Sequence, residues 1–119
     1  MIEISNLTRQ KISNDLVIEI VQKVLKGEGA GRWDISIVFV GCATIKKLNR
    51  KFRNVNKPTD VLSFSGLEIK GIEGKIGEIF VCPKEIAKNN MPRAIIHSVL
   101  HLLGYTHEQM RKKEIFYTI

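Results

Sequence analysis

All three histidines of the chain lie within one short stretch, residues 97–107. His97 and His101 are four residues apart, a spacing that places both imidazoles on one face of a helix. Gly104 is placed to end that helix in the left-handed conformation, which lets His107 return toward the same point. Three neutral imidazoles leave the fourth tetrahedral position of zinc open for water, as in catalytic sites. The stretch therefore predicts one Zn²⁺ ion held by His97, His101 and His107.

Two alternatives to an open zinc site of this kind have to be weighed. The spacing also matches zinc peptidases of the metzincin type, which carry a glutamate directly after the first histidine as the general base. Ser98 occupies that position here, and a hydroxyl with no base beside it does not take a proton from water near neutral pH. A zinc hydrolase of that type is therefore the less favoured alternative. A pair of hydrogen-bonded core histidines leaves the third histidine unexplained.

A phosphodiester substrate requires positive charge close to the metal, and Arg53 is the best candidate to supply it. Its planar guanidinium suits bidentate contacts with phosphate oxygens, although a solvated arginine at a helix C-terminus is the simpler alternative. Lys57 follows in the next loop, and Ser63 lies in a short predicted strand that either lines a groove or pairs across the sheet. Asp60 is a weaker candidate, either to orient a ligand or to cap the next segment. Glu78 is another, either to support a ligand from behind or simply as a carboxylate that faces the edge of the sheet.

The spacing of apolar residues predicts the elements that must position these side chains. Strands are expected at residues 2–5, 33–40, 60–64 and 78–82. Helices are expected at residues 13–26, 43–52, 92–103 and 108–117, with Ser13 and Asn90 as caps, a helical turn at 83–88 and a hairpin connection at 66–77. The order β-α-β-α-β-β-α-α predicts an α+β fold in one domain over residues 1–119, a mixed sheet of about four strands packed with helices.

Composition limits the partners and the compartment. A chain of 119 residues with a net charge of +7 favours a polyanionic partner such as nucleic acid, although a basic surface without a partner has the same charge. No apolar run approaches the length of a membrane span, and the N-terminus lacks a signal peptide, so we expect a cytoplasmic protein that does not bind a membrane. Cys42 and Cys82 have no C-x-x-C spacing and are expected to be buried free thiols rather than a disulfide.

Three blocks of the sequence together resemble one known family. Residues 97–107 match H-G-x-L-H-L-x-G-Y-D-H, residues 48–64 match L-N-x-x-[YF]-R-x-x-x-x-x-T-D-V-L-S-F, and residues 77–82 match G-D-I-x-I-[CS]. These are motifs of the bacterial YbeY family, the rRNA maturation endoribonucleases. The chain departs from them at Ser98, where the family has glycine, and at Thr106 and Glu78, where it has aspartate. We expect these departures to affect rate and substrate range more than metal binding.

The resemblance implies a metal-dependent, single-strand-specific endoribonuclease that matures ribosomal RNA, particularly the 3′ end of the small-subunit RNA, and takes part in ribosome quality control. It implies that His97, His101 and His107 bind zinc and that Arg53 is the catalytic or substrate-binding arginine. The expected partner is ribosomal RNA, on the ribosome or its precursors, and a monomer is the favoured state. The alternative is a non-catalytic ribosome assembly factor that binds RNA and is stabilised by zinc.

Overall fold

The computed structural model describes residues 1–66, 75–86 and 90–118, and its elements follow the predicted order. The elements are β1 (Ile2–Asn6), α1 (Asn14–Gly27), β2 (Asp34–Phe39), α2 (Cys42–Arg53), β3 (Val61–Ser65), β4 (Lys75–Val81), a 3₁₀ turn (Pro83–Glu85), α3 (Met91–Leu102) and α4 (His107–Thr118). The predicted α+β fold is confirmed. Most of the hairpin connection expected at 66–77, and the end of the turn expected at 83–88, lie outside the described residues. Among the described helices, none is both long and apolar enough to cross a membrane.

The four strands form one mixed sheet in the order β1-β2-β4-β3. β1 pairs with β2 and β2 with β4 in parallel, whereas β3 pairs with β4 in antiparallel fashion. The mixed sheet of four strands was predicted, and the structure adds that β1 and β3 are its two edges. The β3 edge carries the candidate site described below.

The larger core fills one face of the sheet, which α1, α3 and α4 cover. Ile37 and Ile79 point into it from the central strands, and Val21, Leu100 and Met110 meet them from the three helices. Each of these side chains is at most 1% exposed. Burying each such side chain contributes about 1.5–3 kcal/mol. Because the larger core contains more buried residues than the smaller one, it supplies most of the apolar stabilisation.

A smaller core lies on the opposite face, where α2 is the one helix among the described residues that packs against the sheet. Ile45 of α2 and Phe64 of β3 are fully buried there. The Phe64 ring meets Phe52 at 5.0 Å and Phe80 at 5.9 Å between centroids, both in edge-to-face geometry. The β3 strand is therefore held between α3 on one face and α2 on the other, and both helices reach the same edge of the sheet.

The boundaries of the elements agree with prediction except at β4 and at one cap. Ser13 accepts a hydrogen bond from the backbone N–H of Leu16 at 3.2 Å, as an N-cap does. Asn90 precedes α3 as expected, but its side chain makes no capping bond. β4 begins at Lys75, not at residue 78 as predicted, so Gly77 lies inside the strand. A Cβ at Gly77 would lie 2.5 Å from the carbonyl oxygen of Phe64, so this position requires glycine.

The two cysteines are free thiols, as predicted, and their sulfur atoms lie 3.5 Å apart. Cys82 is fully buried and Cys42 partly so. The hydrogen bond with Cys82, reinforced by burial and by the Glu85 carboxylate, raises the pKa of Cys42 to about 11. The thiolate is the reactive form, so Cys42 is a poor nucleophile near neutral pH.

A buried carboxylate ties the end of α1 to α4. The Glu28 side chain is 7% exposed, and it accepts hydrogen bonds from the hydroxyls of Tyr105 and Tyr117 and from Nζ of Lys113 at 3.2 Å. Burial by itself raises the pKa of Glu28, but these three donors outweigh it and hold the pKa below its ordinary value. Burial, together with the same contacts, raises the pKa of Tyr117. Glu28 therefore fixes the position of the helix that carries His107.

Replacing Glu28 with glutamine is expected to lower the free energy of unfolding by about 1–3 kcal/mol near pH 7, because a charged acceptor is lost. The folded pKa is depressed, so the contribution is complete above the ordinary value near 4.5 and is lost as the pH falls through the folded pKa. Urea unfolding of both proteins from about pH 7 down to about pH 3 measures the effect. A difference between them that stays constant over this range would contradict the assignment.

Candidate active site at the β3 edge

A cavity of about 200 Å³ at the β3 edge brings together five of the six side chains predicted to form the site. It is lined by Arg53 from the end of α2, Ser63 from β3, His97 and His101 from α3, and His107 from the start of α4. Arg53 is separated from His97 by 44 positions in the sequence. The cavity therefore exists only because α2 and α3 reach the same sheet edge from opposite faces.

The local structure of the histidine stretch agrees with the prediction. His97 and His101 lie one turn apart on α3, and Gly104 follows the helix with a φ of +92°. That left-handed conformation is strained for residues with a Cβ and reverses the chain after the helix. His107 is then the first residue of α4 and lines the same cavity as the other two histidines.

A reciprocal capping box starts α4 immediately before His107. The Thr106 hydroxyl accepts from the backbone N–H of Gln109 at 3.3 Å, and the Gln109 side-chain oxygen accepts from the backbone N–H of Thr106 at 3.0 Å. This pairing is the S/T-x-x-E/Q arrangement that begins many helices. Thr106, which departs from the aspartate of the YbeY motif, thus positions His107 through hydrogen bonds of its own.

The three imidazoles are suitable zinc ligands, although their rings do not converge on one point in this structure. The ring centroids of His97 and His107 are 6.0 Å apart, whereas two imidazoles on one tetrahedral zinc ion lie roughly 5 Å apart. Across the residues that the structure describes, no three His, Cys, Asp or Glu side chains are gathered closely enough to enclose an ion. His101 and His107 are exposed, so their rings have room to rotate.

Glu114, which the sequence did not single out, holds His97 in place. Nδ1 of His97 donates to Oε1 of Glu114 at 2.5 Å, and the carboxylate is only 10% exposed. We assign the proton to Nδ1 because an ionised carboxylate only accepts, and Nε2 is then left as the donor atom for a metal. The sequence did hold a clue to its role, because Glu114 shares the buried face of α4 with Met110 and Tyr117. A carboxylate on a buried helix face is expected to have a hydrogen-bonding or charged partner.

Arg53 reaches the cavity from the opposite face of the sheet. Its Nη2 donates to the carbonyl oxygen of Ser63 at 3.1 Å, and its guanidinium lies 4.6 Å from the centre of the Phe64 ring. A guanidinium stacked on an aromatic face has fewer orientations open to it than a solvated one. Arg53 is thus held at the wall of the cavity by contacts with β3.

The turn after α2 fixes where Arg53 lies. Asn54 ends the helix in the left-handed conformation with a φ of 60°. Asn49, 7% exposed, donates from Nδ2 to the carbonyl oxygen of Lys57 at 2.9 Å and so anchors the following loop. Asn49 was not identified from the sequence as a functional residue. The clue in the sequence was the position of this polar residue on the apolar face of an amphipathic helix.

The other candidates lie outside the cavity. The Lys57 side chain is exposed and is not among the residues that line it. Asp60 accepts from the backbone N–H of Val61 at 2.8 Å and shapes the start of β3, and it also lines an adjoining groove of about 550 Å³ that shares His97. Glu78 is half-buried on β4, in register with Phe64.

Ser98, at the position where a zinc peptidase has its general base, has a structural role. It is 1% exposed, and its hydroxyl donates to the carbonyl oxygen of Ala94 at 2.9 Å, one turn earlier in α3. A hydroxyl bonded back to its own helix is not placed to take a proton from a water molecule.

The chain is similar to known proteins over most of its length. A family model described as Endoribonuclease YbeY matches residues 3–118. An Endoribonuclease YbeY of Chlorobium luteolum is 33% identical over 115 residues, covering 87% of this chain and 81% of that protein. Another, of Thermotoga petrophila, is 35% identical over 112 residues, covering 84% and 71%. A solution structure of a Thermotoga maritima protein has a TM-score of 0.60 at 27% identity, covering 98% of this chain and 86% of that one.

Proposed function

The chain belongs to the endoribonuclease YbeY family, and we propose that it is a zinc-dependent, single-strand-specific member that matures ribosomal RNA. Membership makes the protein an endoribonuclease, an enzyme that cleaves phosphodiester bonds inside RNA chains. The proposal extends to the 3′ end of the small-subunit RNA, to ribosome quality control and to work in the cytoplasm as a monomer.

One observation carries the proposal: a guanidinium and three imidazoles line the same small cavity. Cleavage of a phosphodiester develops negative charge on the phosphoryl oxygens, and fixed donors aimed at those oxygens lower the barrier. Arg53, oriented by Ser63 and Phe64, can donate to them from one wall. A phosphate between Arg53 and a zinc ion held by the histidines would therefore meet positive charge on both sides.

The histidines supply the other half of the proposed site. His97, His101 and His107 would hold the zinc ion, and Glu114 would keep Nε2 of His97 turned toward it. Zinc bound by three imidazoles polarises an oxygen ligand, whether water or phosphate. Within this proposal Ser63 and Lys57 contact the substrate, Ser63 from the cavity wall and Lys57 from the adjoining loop. Peptide hydrolysis has no support, because Ser98 occupies the position of the base and is bonded to Ala94.

Removing His101 is expected to abolish both tight zinc binding and cleavage of single-stranded RNA. His101→Ala leaves at most two imidazoles, and the variant should still fold because the position is exposed. Glu114→Gln should bind zinc about 10–100-fold more weakly, because the partner of His97 loses its charge. Competition with a chromophoric chelator measures zinc affinity, and a gel assay on unstructured RNA measures cleavage.

The control for these variants is Glu108→Gln, a charge change on the exposed surface of α4, which should leave both quantities unchanged. If His101→Ala cleaved RNA as fast as the unmodified protein, the proposed site would be wrong. If chelation abolished the circular dichroism signal and the unmodified protein bound RNA without cleaving it, the non-catalytic assembly factor would be the correct function.

A further inference from the structure

The outer face of α2 carries a dense set of positive charges. It presents Lys46, Lys47, Arg50 and Lys51, all exposed, before ending at Arg53. The sequence has no aspartate or glutamate between residues 35 and 59. Within the described part of the chain, no carboxylate pairs with Lys46, Lys47, Arg50 or Lys51. Like charges three or four residues apart on a helix each cost about 0.2–0.5 kcal/mol, so this face lowers the stability of α2.

Three of these cations form a single row that leads into the candidate active site. Lys46, Arg50 and Arg53 are spaced at i, i+4 and i+7, which places them on one line along the helix surface. The row covers about 10 Å at 1.5 Å per residue. Its last member, Arg53, lines the cavity with the three histidines. The row is therefore continuous with the place where the phosphodiester would be cleaved.

We propose that the row of Lys46, Arg50 and Arg53 binds the phosphate backbone of the single-stranded RNA on one side of the cleaved bond. The inference rests on the proposed function and adds to it the surface along which the substrate lies. Lys46 and Arg50 neutralise successive phosphates, while Arg53 holds the phosphate in the cavity. The contacts carry no base specificity, because the row presents only charge to the strand.

The structure favours RNA over an anionic membrane as the partner of this face. A helix that lies on a membrane needs an apolar face turned toward the lipid. The apolar residues of α2, with Ile45 at their centre, are instead packed against the sheet in the smaller core. The exposed large apolar side chains in the described residues include none from α2. The exposed surface of α2 instead carries a row of cations that ends at the guanidinium of Arg53. Such a row fits the phosphate backbone of an RNA strand that enters the cavity.

Salt dependence of binding tests the proposal directly. The probe is a labelled single-stranded 2′-O-methyl oligonucleotide, and its affinity for the zinc-loaded protein is measured by fluorescence anisotropy over a salt series. The test variant is the double substitution Lys46→Gln with Arg50→Gln. The matched control, Lys26→Gln with Arg32→Gln, removes the same charge from exposed positions near the opposite, β1 edge, where Lys26 lines a cleft with Met1 and Ile2.

The slope of log affinity against log salt should become shallower by about 0.7 for each phosphate that the protein no longer neutralises, and so by about 1.4 for the test variant. The control should keep the slope of the unmodified protein. Equal slopes in the two variants, or binding to phosphatidylserine vesicles without binding to the oligonucleotide, would overturn the proposal. Cleavage of ordinary RNA by the unmodified protein is measured alongside. If the unmodified protein cleaves RNA but the test variant keeps the unmodified slope, only the proposed row is wrong. If the unmodified protein does not cleave RNA, the proposed function is wrong.

Discussion

Replacing Arg53 with alanine is expected to lower the rate constant for RNA cleavage by about 10²–10³-fold, with little change in the free energy of unfolding. The rate falls because a donor placed for the developing phosphoryl charge is lost, an effect of about 3–4 kcal/mol in other enzymes. The fold should persist because Arg53 is exposed and lies outside both apolar cores. Single-turnover cleavage of a labelled RNA and urea unfolding measure the two quantities.

Two companion variants identify the cause of that loss. Arg53→Lys keeps the charge but loses the planar fork and the stacking on Phe64, so its rate should lie between those of the unmodified and alanine proteins. Arg32→Ala removes an exposed arginine elsewhere and should leave the rate constant unchanged. If Arg53→Ala and Arg32→Ala cleaved RNA equally fast, Arg53 would have no part in the reaction.

Replacing Phe64 with alanine is expected to lower the free energy of unfolding by about 3–5 kcal/mol. Phe64 is fully buried, and its ring contacts both Phe52 and Phe80 in the smaller core. The substitution removes the apolar side chain and leaves a cavity that α2 closes only in part. Because Arg53 stacks on the same ring, protein that remains folded should also cleave RNA more slowly. Urea unfolding gives the first effect, and cleavage by folded protein gives the second.

A second phenylalanine provides a control that matches Phe64 in size and residue type. Phe116 on α4 is 67% exposed, so Phe116→Ala removes the same side chain from the surface and should change stability by less than about 0.5 kcal/mol. Phe64→Leu keeps most of the volume and should cost less than about 1.5 kcal/mol. Similar losses for Phe64→Ala and Phe116→Ala would mean that the smaller core contributes little to stability.

Local patterns predicted the elements of this fold because their causes are local. The cap at Ser13 and the left-handed Gly104 depend on neighbours within one turn of the chain, and both predictions are confirmed. The start of β4 was predicted three residues late because Gly77 is typical of loops. The reason for that glycine is the close approach of the Phe64 backbone and of Leu102 from α3. Such an approach is a tertiary contact, and so is the strand order β1-β2-β4-β3.

The candidate site was predictable where residue type alone indicates chemistry. Three clustered histidines indicated a metal, and an arginine at a helix end indicated phosphate. Glu114 and Asn49 were missed because a carboxylate or an amide has no distinctive spacing until its partner is known. Each one matters through a contact across the fold, Glu114 with His97 and Asn49 with the backbone of Lys57.

The position of His107 and Glu114 on α4 has a consequence for the protein during its synthesis. Translation produces Arg53 and Ser63 long before these two residues, and α4 docks through the contacts that Glu28 makes with Tyr105, Lys113 and Tyr117. A nascent chain that ends before α4 therefore has the arginine wall of the cavity but neither the third imidazole nor the partner of His97. Since domains generally fold as units, the proposed site would be complete only after α4 has been made. Under the proposed function, the ribosomal RNA that is translating the chain would not meet a complete site until this helix had left the exit tunnel.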